Sequence, residues 1–262
     1  MKIAICGICG RMGQAILEAL LEKGHTLVAA FDAPENPNVG KDVSQINSKC
    51  LSGIKIETIN ATALSECECV IDFSNHNATM ELLKVLDKTS LVIGTTGFSE
   101  DQKNEIRKAS ERIPIVWAPS MSVAVNILFK LTEIASKALN DNYDVEIFEA
   151  HHKFKKDAPS GTANMLCSIV QNNMPNMKDA KPVYGREGFT GERTKKEIGV
   201  LAMRAADIVG EHTVFMAGPG ERLELTARST SRATYATGSV LAAEFLLKKQ
   251  PKLYSMFDVL GF

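Results

Sequence analysis

Met1-Lys-Ile-Ala-Ile-Cys6 runs directly into Gly7-Ile-Cys-Gly-Arg-Met-Gly13, and this junction decides the fold. The first six residues form the short apolar run expected of a buried strand. After the glycines, Gln14-Ala-Ile-Leu-Glu-Ala-Leu-Leu-Glu-Lys23 has helical periodicity, and Gly24 is placed to end it. His25-Thr-Leu-Val-Ala-Ala-Phe31 reads as a second strand, with Asp32 at its end. The order is strand, glycine turn, helix, strand, acid. In that order the glycines let the backbone approach a pyrophosphate, which rests on the helix N-terminus, and the acid hydrogen-bonds ribose hydroxyls. The spacing is G-x-x-G-x-x-G, with Cys9 in the slot where a second glycine is usual. Three glycines alone describe an ordinary tight turn; the surrounding order points to a dinucleotide.

The alternation continues along the chain. Cys69-Val-Ile-Asp-Phe-Ser74 reads as a strand, Ala78 to Leu86 as its crossover helix, and Leu91 to Gly97 as a strand entering a Gly/Thr turn. Glu100 to Glu111 is a charged helix and Ile113 to Pro119 another strand. Strands alternating with helices give an α/β, doubly wound parallel sheet of Rossmann type. Ligands bind such sheets beyond the carboxyl ends of the strands. Gly7 to Gly13, Asp32, Phe73-Ser74, Gly94-Thr95-Thr96 and Ala118-Pro119-Ser120-Met121 are therefore expected at one edge.

The second half changes character. Val123 to Leu139 is a helix with a broad apolar face, and Tyr143 to Glu149 alternates as a strand. Glu149-Ala-His-His-Lys-Phe-Lys-Lys-Asp-Ala-Pro-Ser-Gly-Thr-Ala163 follows. His151 and His152 can exchange protons near neutral pH. Lys155 or Lys156 can neutralise a carboxylate or donate a proton. The helix starting near Ser160 offers free N–H groups to an anion. Strands are expected over Ile198 to Arg204, His212 to Ala217 and Glu221 to Arg228, close enough for an antiparallel or mixed sheet. An inserted α+β domain is expected over residues 123–233. Residues 1–122 and 234–262 make the dinucleotide-binding domain, the last helix, Tyr235 to Lys248, packing back on it.

With 262 residues and a net charge of −1, no global field draws the chain to nucleic acid or an anionic membrane. No apolar run reaches the length that spans a bilayer, and Met1 opens straight into a strand, so a cytoplasmic protein is expected. The six cysteines are expected to stay thiols, with no metal.

Taken together, the sequence resembles the dihydrodipicolinate reductase family nearly end to end. The resemblance is carried by Gly7 to Gly13, Val92-Ile-Gly-Thr-Thr-Gly-Phe98, the E-A-H-H segment through Ala163, Arg186-Glu-Gly with Thr190-Gly-Glu-Arg193, and Asp207-Ile-Val-Gly-Glu-His212. It implies NADH- or NADPH-dependent reduction of a small cyclic dicarboxylate, the 4-hydroxy-tetrahydrodipicolinate of lysine and diaminopimelate synthesis. Gly7, Ile8, Cys9, Gly10, Arg11 and Met12 would hold the pyrophosphate, and Asp32 the adenosine ribose. Gly94, Thr95, Thr96, Ala118, Pro119, Ser120 and Met121 would line the nicotinamide side. His151 and Lys155 would be catalytic, the family spacing choosing Lys155 over Lys156. His152, Gly161 and Thr162 would bind the substrate carboxylates, in a homotetramer joined through the second domain.

Departures from the family carry expectations too. Ala33 stands where many relatives have a base for the NADP 2′-phosphate, so NADH is expected to serve at least as well as NADPH. Ser120, Ala124 and Ala206 replace a common asparagine and two glycines, and Asn75-His76 replaces a basic-proline pair. The alternatives are another two-domain NAD(P)-dependent oxidoreductase acting on a small carboxylate, including a semialdehyde dehydrogenase using Cys167, and a non-catalytic dinucleotide sensor.

Overall fold

A computed structural model describes residues 1–50, 53–140 and 142–262. The chain divides into two units, Met1–Val123 with Arg232–Phe262, and Ala124–Ser231. The first unit opens with β1 (Lys2–Cys6), α1 (Arg11–Glu22) and β2 (Thr26–Phe31). Then come β3 (Ile56–Glu57), β4 (Cys69–Asp72), α2 (His76–Val85), β5 (Ser90–Ile93), α3 (Glu100–Ala109) and β6 (Pro114–Trp117). Ile3, Ala4 and Ile5 of β1 are all fully buried, because helices cover both faces of a parallel sheet. On α1, Ile16, Leu17 and Leu20 turn the apolar face inward. Each such side chain contributes roughly 1.5–3 kcal/mol on leaving water.

Helix α2 starts two residues earlier than the apolar spacing suggests. The side chain of Asn75 accepts hydrogen bonds from the Asn77 and Ala78 amides, so the cap sets the start. At α3, Ser99 and Gln102 close a reciprocal capping box.

The second unit contains most of α4 (Val123–Ala138), then β7 (Asp144–His151), α5 (Gly161–Asn173), β8 (Lys181–Val183), β9 (Glu197–Arg204), β10 (Gly210–Gly218) and β11 (Glu221–Ser229). The sheet order is β11-β10-β7-β9-β8. β10 runs antiparallel to β11 and β7, whereas β7-β9 and β9-β8 are parallel, so the sheet is mixed. Val145, Ile147, Val200, Val214 and Met216 form its buried face. The Gly185–Arg193 loop is exposed along most of its length but is anchored to the sheet by two arginines. Arg186 grips Glu146 with two hydrogen bonds, and Arg193 reaches Asp144, Glu146 and the carbonyls of Val145 and Glu197.

The chain then returns to the first unit with α6 (Ala233–Leu246), β12 (Lys252–Tyr254) and α7 (Met256–Leu260). This completes a parallel seven-stranded sheet ordered β12-β6-β5-β4-β1-β2-β3. Gly238 lets α6 touch the loop after β6: a Cβ there would lie 1.8 Å from the Met121 carbonyl oxygen. β3, β8, β12 and α7 have two to five residues, too few to show a periodicity in the sequence.

Candidate active site

At the carboxyl edge of the parallel sheet lies a cleft of about 650 Å³, lined by Gly7, Gly10, Asp32, Phe73 and Ser74 among others. The Gly7 and Ile8 amides both donate to the Phe31 carbonyl, tying the turn to the end of β2. Gly7 has φ +83°, and a Cβ on it would sit 2.5 Å from the Phe73 carbonyl oxygen. A Cβ on Gly13 would meet the Gly7 carbonyl oxygen at 2.1 Å. No other residue fits either place. Gly10 caps α1 without a side chain, so the first amides of that helix remain for a ligand. Asp32 accepts from the Cys9 amide at 2.8 Å, the Ala33 amide at 2.9 Å and Asn36 Nδ2 at 3.1 Å.

Of the expected cofactor residues, Gly7, Gly10 and Asp32 line this cleft; Gly94 to Thr96 and Ala118 to Met121 are not among its walls. They stand at neighbouring strand ends. The Ser74 amide donates to Thr95 Oγ1 at 3.1 Å, and the Ala118 amide to the Ile93 carbonyl at 3.4 Å. Ile8 and Met121 are buried core side chains, so any contact they make with a ligand is through backbone. Arg11 and Thr96 are exposed, whereas Thr95 and Ser120 are buried.

In the second unit, β7 is longer than its apolar alternation implies and carries His151 as its last residue. Parallel pairing sets Arg204 of β9 opposite His151, and antiparallel pairing sets His212 of β10 opposite Glu149. Glu149 is fully buried. Its carboxylate takes His151 Nδ1 at 2.5 Å, Arg204 Nη1 and Nη2 at 2.9 and 2.8 Å, and the Ser160 amide at 3.1 Å. Burial pushes its pKa up, but the His151 and Arg204 hydrogen bonds outweigh that and hold it at about 2. Arg204 also donates to the Asp157 carbonyl at 2.7 Å, and Asp157 Oδ1 accepts from Lys155 Nζ at 2.9 Å. Burial raises and the Lys155 hydrogen bond lowers the Asp157 pKa; the result is below the ordinary value.

Behind this group, the His151 and His212 rings meet edge to face with centroids 5.2 Å apart. His212 Nε2 lies 3.1 Å from Ser160 Oγ, which caps α5 by accepting from the Ala163 amide. Burial, then the neighbouring His151, lowers the His212 pKa to about 4, so its imidazole is neutral near pH 7. Gly161 and Thr162, in the first turn of α5, keep surface exposure.

His151, His152, Lys155, Gly161 and Thr162 thus fall on β7, the loop after it and the start of α5. Lys156 is exposed, and Lys155 is half-buried against Asp157. Sequence reasoning missed Glu149, Arg204 and His212 as parts of the site. Arg204 lies 55 residues from its partner, and only strand pairing joins them. One signal was present: both His212 and Glu149 sit inside strands that otherwise alternate apolar residues inward. Cys167 is buried within α5 and burial raises its thiol pKa, which leaves no nucleophile for a semialdehyde dehydrogenase there. All six cysteines are free thiols. Among the described residues no His, Cys, Asp and Glu group is arranged to hold a metal, and no helix is long and apolar enough to cross a membrane.

A Rossmann-type sheet with a glycine turn and an inserted α+β unit is the architecture of two-unit, nucleotide-dependent oxidoreductases. Residues 1–121 match the family described as dihydrodipicolinate reductase, N-terminus, and residues 124–260 match dihydrodipicolinate reductase, C-terminus. The chain belongs to the dihydrodipicolinate reductase family. It is 46% identical to a 4-hydroxy-tetrahydrodipicolinate reductase of Aromatoleum aromaticum over 100% of this chain and 95% of that one. A Thiobacillus denitrificans protein of the same name is also 46% identical, over 100% and 98%. Among solved structures, a dipicolinate-bound dihydrodipicolinate reductase from Paenisporosarcina sp. TG-14 shares the fold, with TM-score 0.76 and 22% identity over 97% of each chain.

Proposed function

We propose that this chain is a 4-hydroxy-tetrahydrodipicolinate reductase, reducing a small cyclic dicarboxylate with a nicotinamide dinucleotide in lysine and diaminopimelate synthesis. The observation that carries this reading is the convergence of His151, Arg204 and the Ser160 amide at the start of α5 on the buried Glu149, with Lys155 joined to the group through Asp157. Cationic and N–H donors of this kind suit a ligand with two carboxylates. His152 and the Gly161 and Thr162 amides take those carboxylates. The bound nicotinamide supplies the hydride. Lys155, its ammonium held by Asp157, donates the proton that quenches charge developing on the ring. A carboxylate only accepts hydrogen bonds, so Glu149 fixes the proton of His151 on Nδ1 and leaves Nε2 free for proton exchange.

The glycine turn and the first turn of α1 suit a pyrophosphate, because only a side-chain-free backbone fits against Phe73 there. Among the described residues, the cleft walls include the carboxylates Asp32, Glu35 and Glu81 and neither lysine nor arginine. A 2′-phosphate would meet these carboxylates with no cation among them, so NADH is the preferred cofactor. Assembly as a homotetramer is part of the same reading. Its support is that α4 bares Ile127, Leu131 and Ile134, 40–54% exposed, along one side.

A coupled assay tests the proposal. The synthase generates substrate from pyruvate and aspartate semialdehyde, and nicotinamide absorbance is followed with each cofactor. Substrate-dependent oxidation that collapses in Lys155→Ala, faster with NADH, is expected. A folded enzyme that oxidises neither cofactor overturns the reading, and a much lower KM for NADPH overturns the cofactor preference.

A further inference from the structure

Asp72 is a fully buried carboxylate in the middle of the parallel sheet, and the reaction outlined above does not use it. It ends β4, paired with Cys6 of β1 on one side and Ile93 of β5 on the other. Burying a carboxylate is costly unless its lone pairs are filled. Here Oδ1 takes the Ser74 amide at 3.0 Å and the Ser74 hydroxyl at 2.5 Å, and Oδ2 takes the Thr79 hydroxyl at 2.5 Å. Burial pushes the Asp72 pKa above the ordinary value, and the Ser74 and Thr79 hydrogen bonds oppose that rise.

The direction of these hydrogen bonds matters for the cleft, where Ser74 forms part of the wall. A hydroxyl has one proton and two lone pairs. The Ser74 proton has two acceptors in reach, the Asp72 carboxylate at 2.5 Å and the Asn75 carbonyl at 3.4 Å. The shorter, charge-assisted bond holds it. Ser74 Oγ can then only accept from a ligand. It suits a sugar hydroxyl, which donates, and not a phosphate oxygen, which needs a donor.

Strand order says which sugar. Asp32 follows β2 and Ser74 follows β4, with β1 and its glycine turn between them. A dinucleotide laid across that turn, with its adenosine ribose at Asp32, brings its second ribose to the β4–β5 side, where Ser74 is bonded to Thr95. We propose that Asp72 is a positioning residue of the nucleotide cleft. By holding the Ser74 hydroxyl proton it makes Ser74 Oγ an acceptor for the ribose hydroxyls on the nicotinamide side. This rests on the dinucleotide reading of the cleft.

The test is equilibrium binding of two probes to the full chain: NADH, followed by its fluorescence, and ADP, which lacks the second ribose, followed by calorimetry. Asp72→Asn puts a donor beside Ser74 Oγ and releases its proton. One misdirected hydrogen bond should raise the NADH Kd by about three- to tenfold. The ADP Kd should stay within twofold. Ser74→Ala should give the same split, and it decides the matter alone if Asp72→Asn fails to fold. Equal weakening of both probes, or no weakening of NADH in a folded Ser74→Ala protein, overturns the proposal. Wild-type protein that binds neither probe sinks the dinucleotide reading itself, a separate result.

Discussion

Ala206 follows Arg204 and Ala205 with φ +41°, in the left-handed region where a Cβ crowds the backbone. Its carbonyl accepts from the Lys153 amide, so the conformation is fastened to the loop after β7. Ala206→Gly removes the strain and loses part of the gain to a looser unfolded chain. The expected net is about 1 kcal/mol of added stability by urea denaturation; a loss would show that the angle costs alanine nothing. The opposite outcome is expected at Glu149. Glu149→Gln leaves Arg204, still partly exposed, beside a neutral amide, and weakening these charged hydrogen bonds costs about 1–3 kcal/mol. In the fraction that folds, kcat should drop at least about tenfold as His151 loses its orienting carboxylate, with NADH Kd unchanged. An unchanged kcat would remove Glu149 from the chemistry. His151 and the Lys155-Lys156 pair stand out in the sequence as candidates because they cluster locally, and the family resemblance chooses Lys155. Arg204 and His212 could not, since their roles come from neighbours on other strands.

At the scale of elements, the β1–α1 turn is the least tolerant junction. A Cβ at Gly13 would lie 2.1 Å from the Gly7 carbonyl oxygen and 2.7 Å from the Ile8 Cα, both backbone, which cannot step aside. Gly13→Ala is expected to abolish NADH binding and to lower the thermal midpoint by several degrees, a loss of roughly 1–3 kcal/mol. Binding that survives intact would mean the turn opens without harm. This element was legible from sequence because three glycines stand between two strong periodicities. The start of α2 was legible only in part: apolar spacing suggests Ala78, whereas the Asn75 cap begins it at His76. The short strands β3, β8 and β12 left no trace in the sequence. Each exists because an adjacent strand leaves its edge open, as β12 does along β6.

At the scale of the whole molecule, acid should unfold the chain in two stages. His212 is held at about 4 by burial, below its ordinary 6.5. Between those values the unfolded chain takes a proton that the folded chain refuses, so stability falls as pH drops from 6.5 to 4, by about 3 kcal/mol in all. Glu149, held at about 2 against an ordinary 4.5, adds stability that is present above 4.5 and lost as pH falls towards 2. Urea midpoints at pH 7, 5.5 and 4 should decline steadily, and His212→Gln should flatten that decline. A flat profile in the wild-type protein would show that His212 titrates as if exposed.

Sequence by itself determined the Rossmann-type sheet and the presence of a second, strand-rich unit, and it singled out His151 and Lys155 as candidate proton carriers. These depend on local periodicity, turn chemistry and spacing, which a chain carries before it folds. Tertiary structure alone decided that Glu149, Arg204 and His212 gather behind His151, and that Asp72 directs the Ser74 hydroxyl. Those arrangements depend on strand register and on burial, which set distances and remove water between residues far apart in the chain.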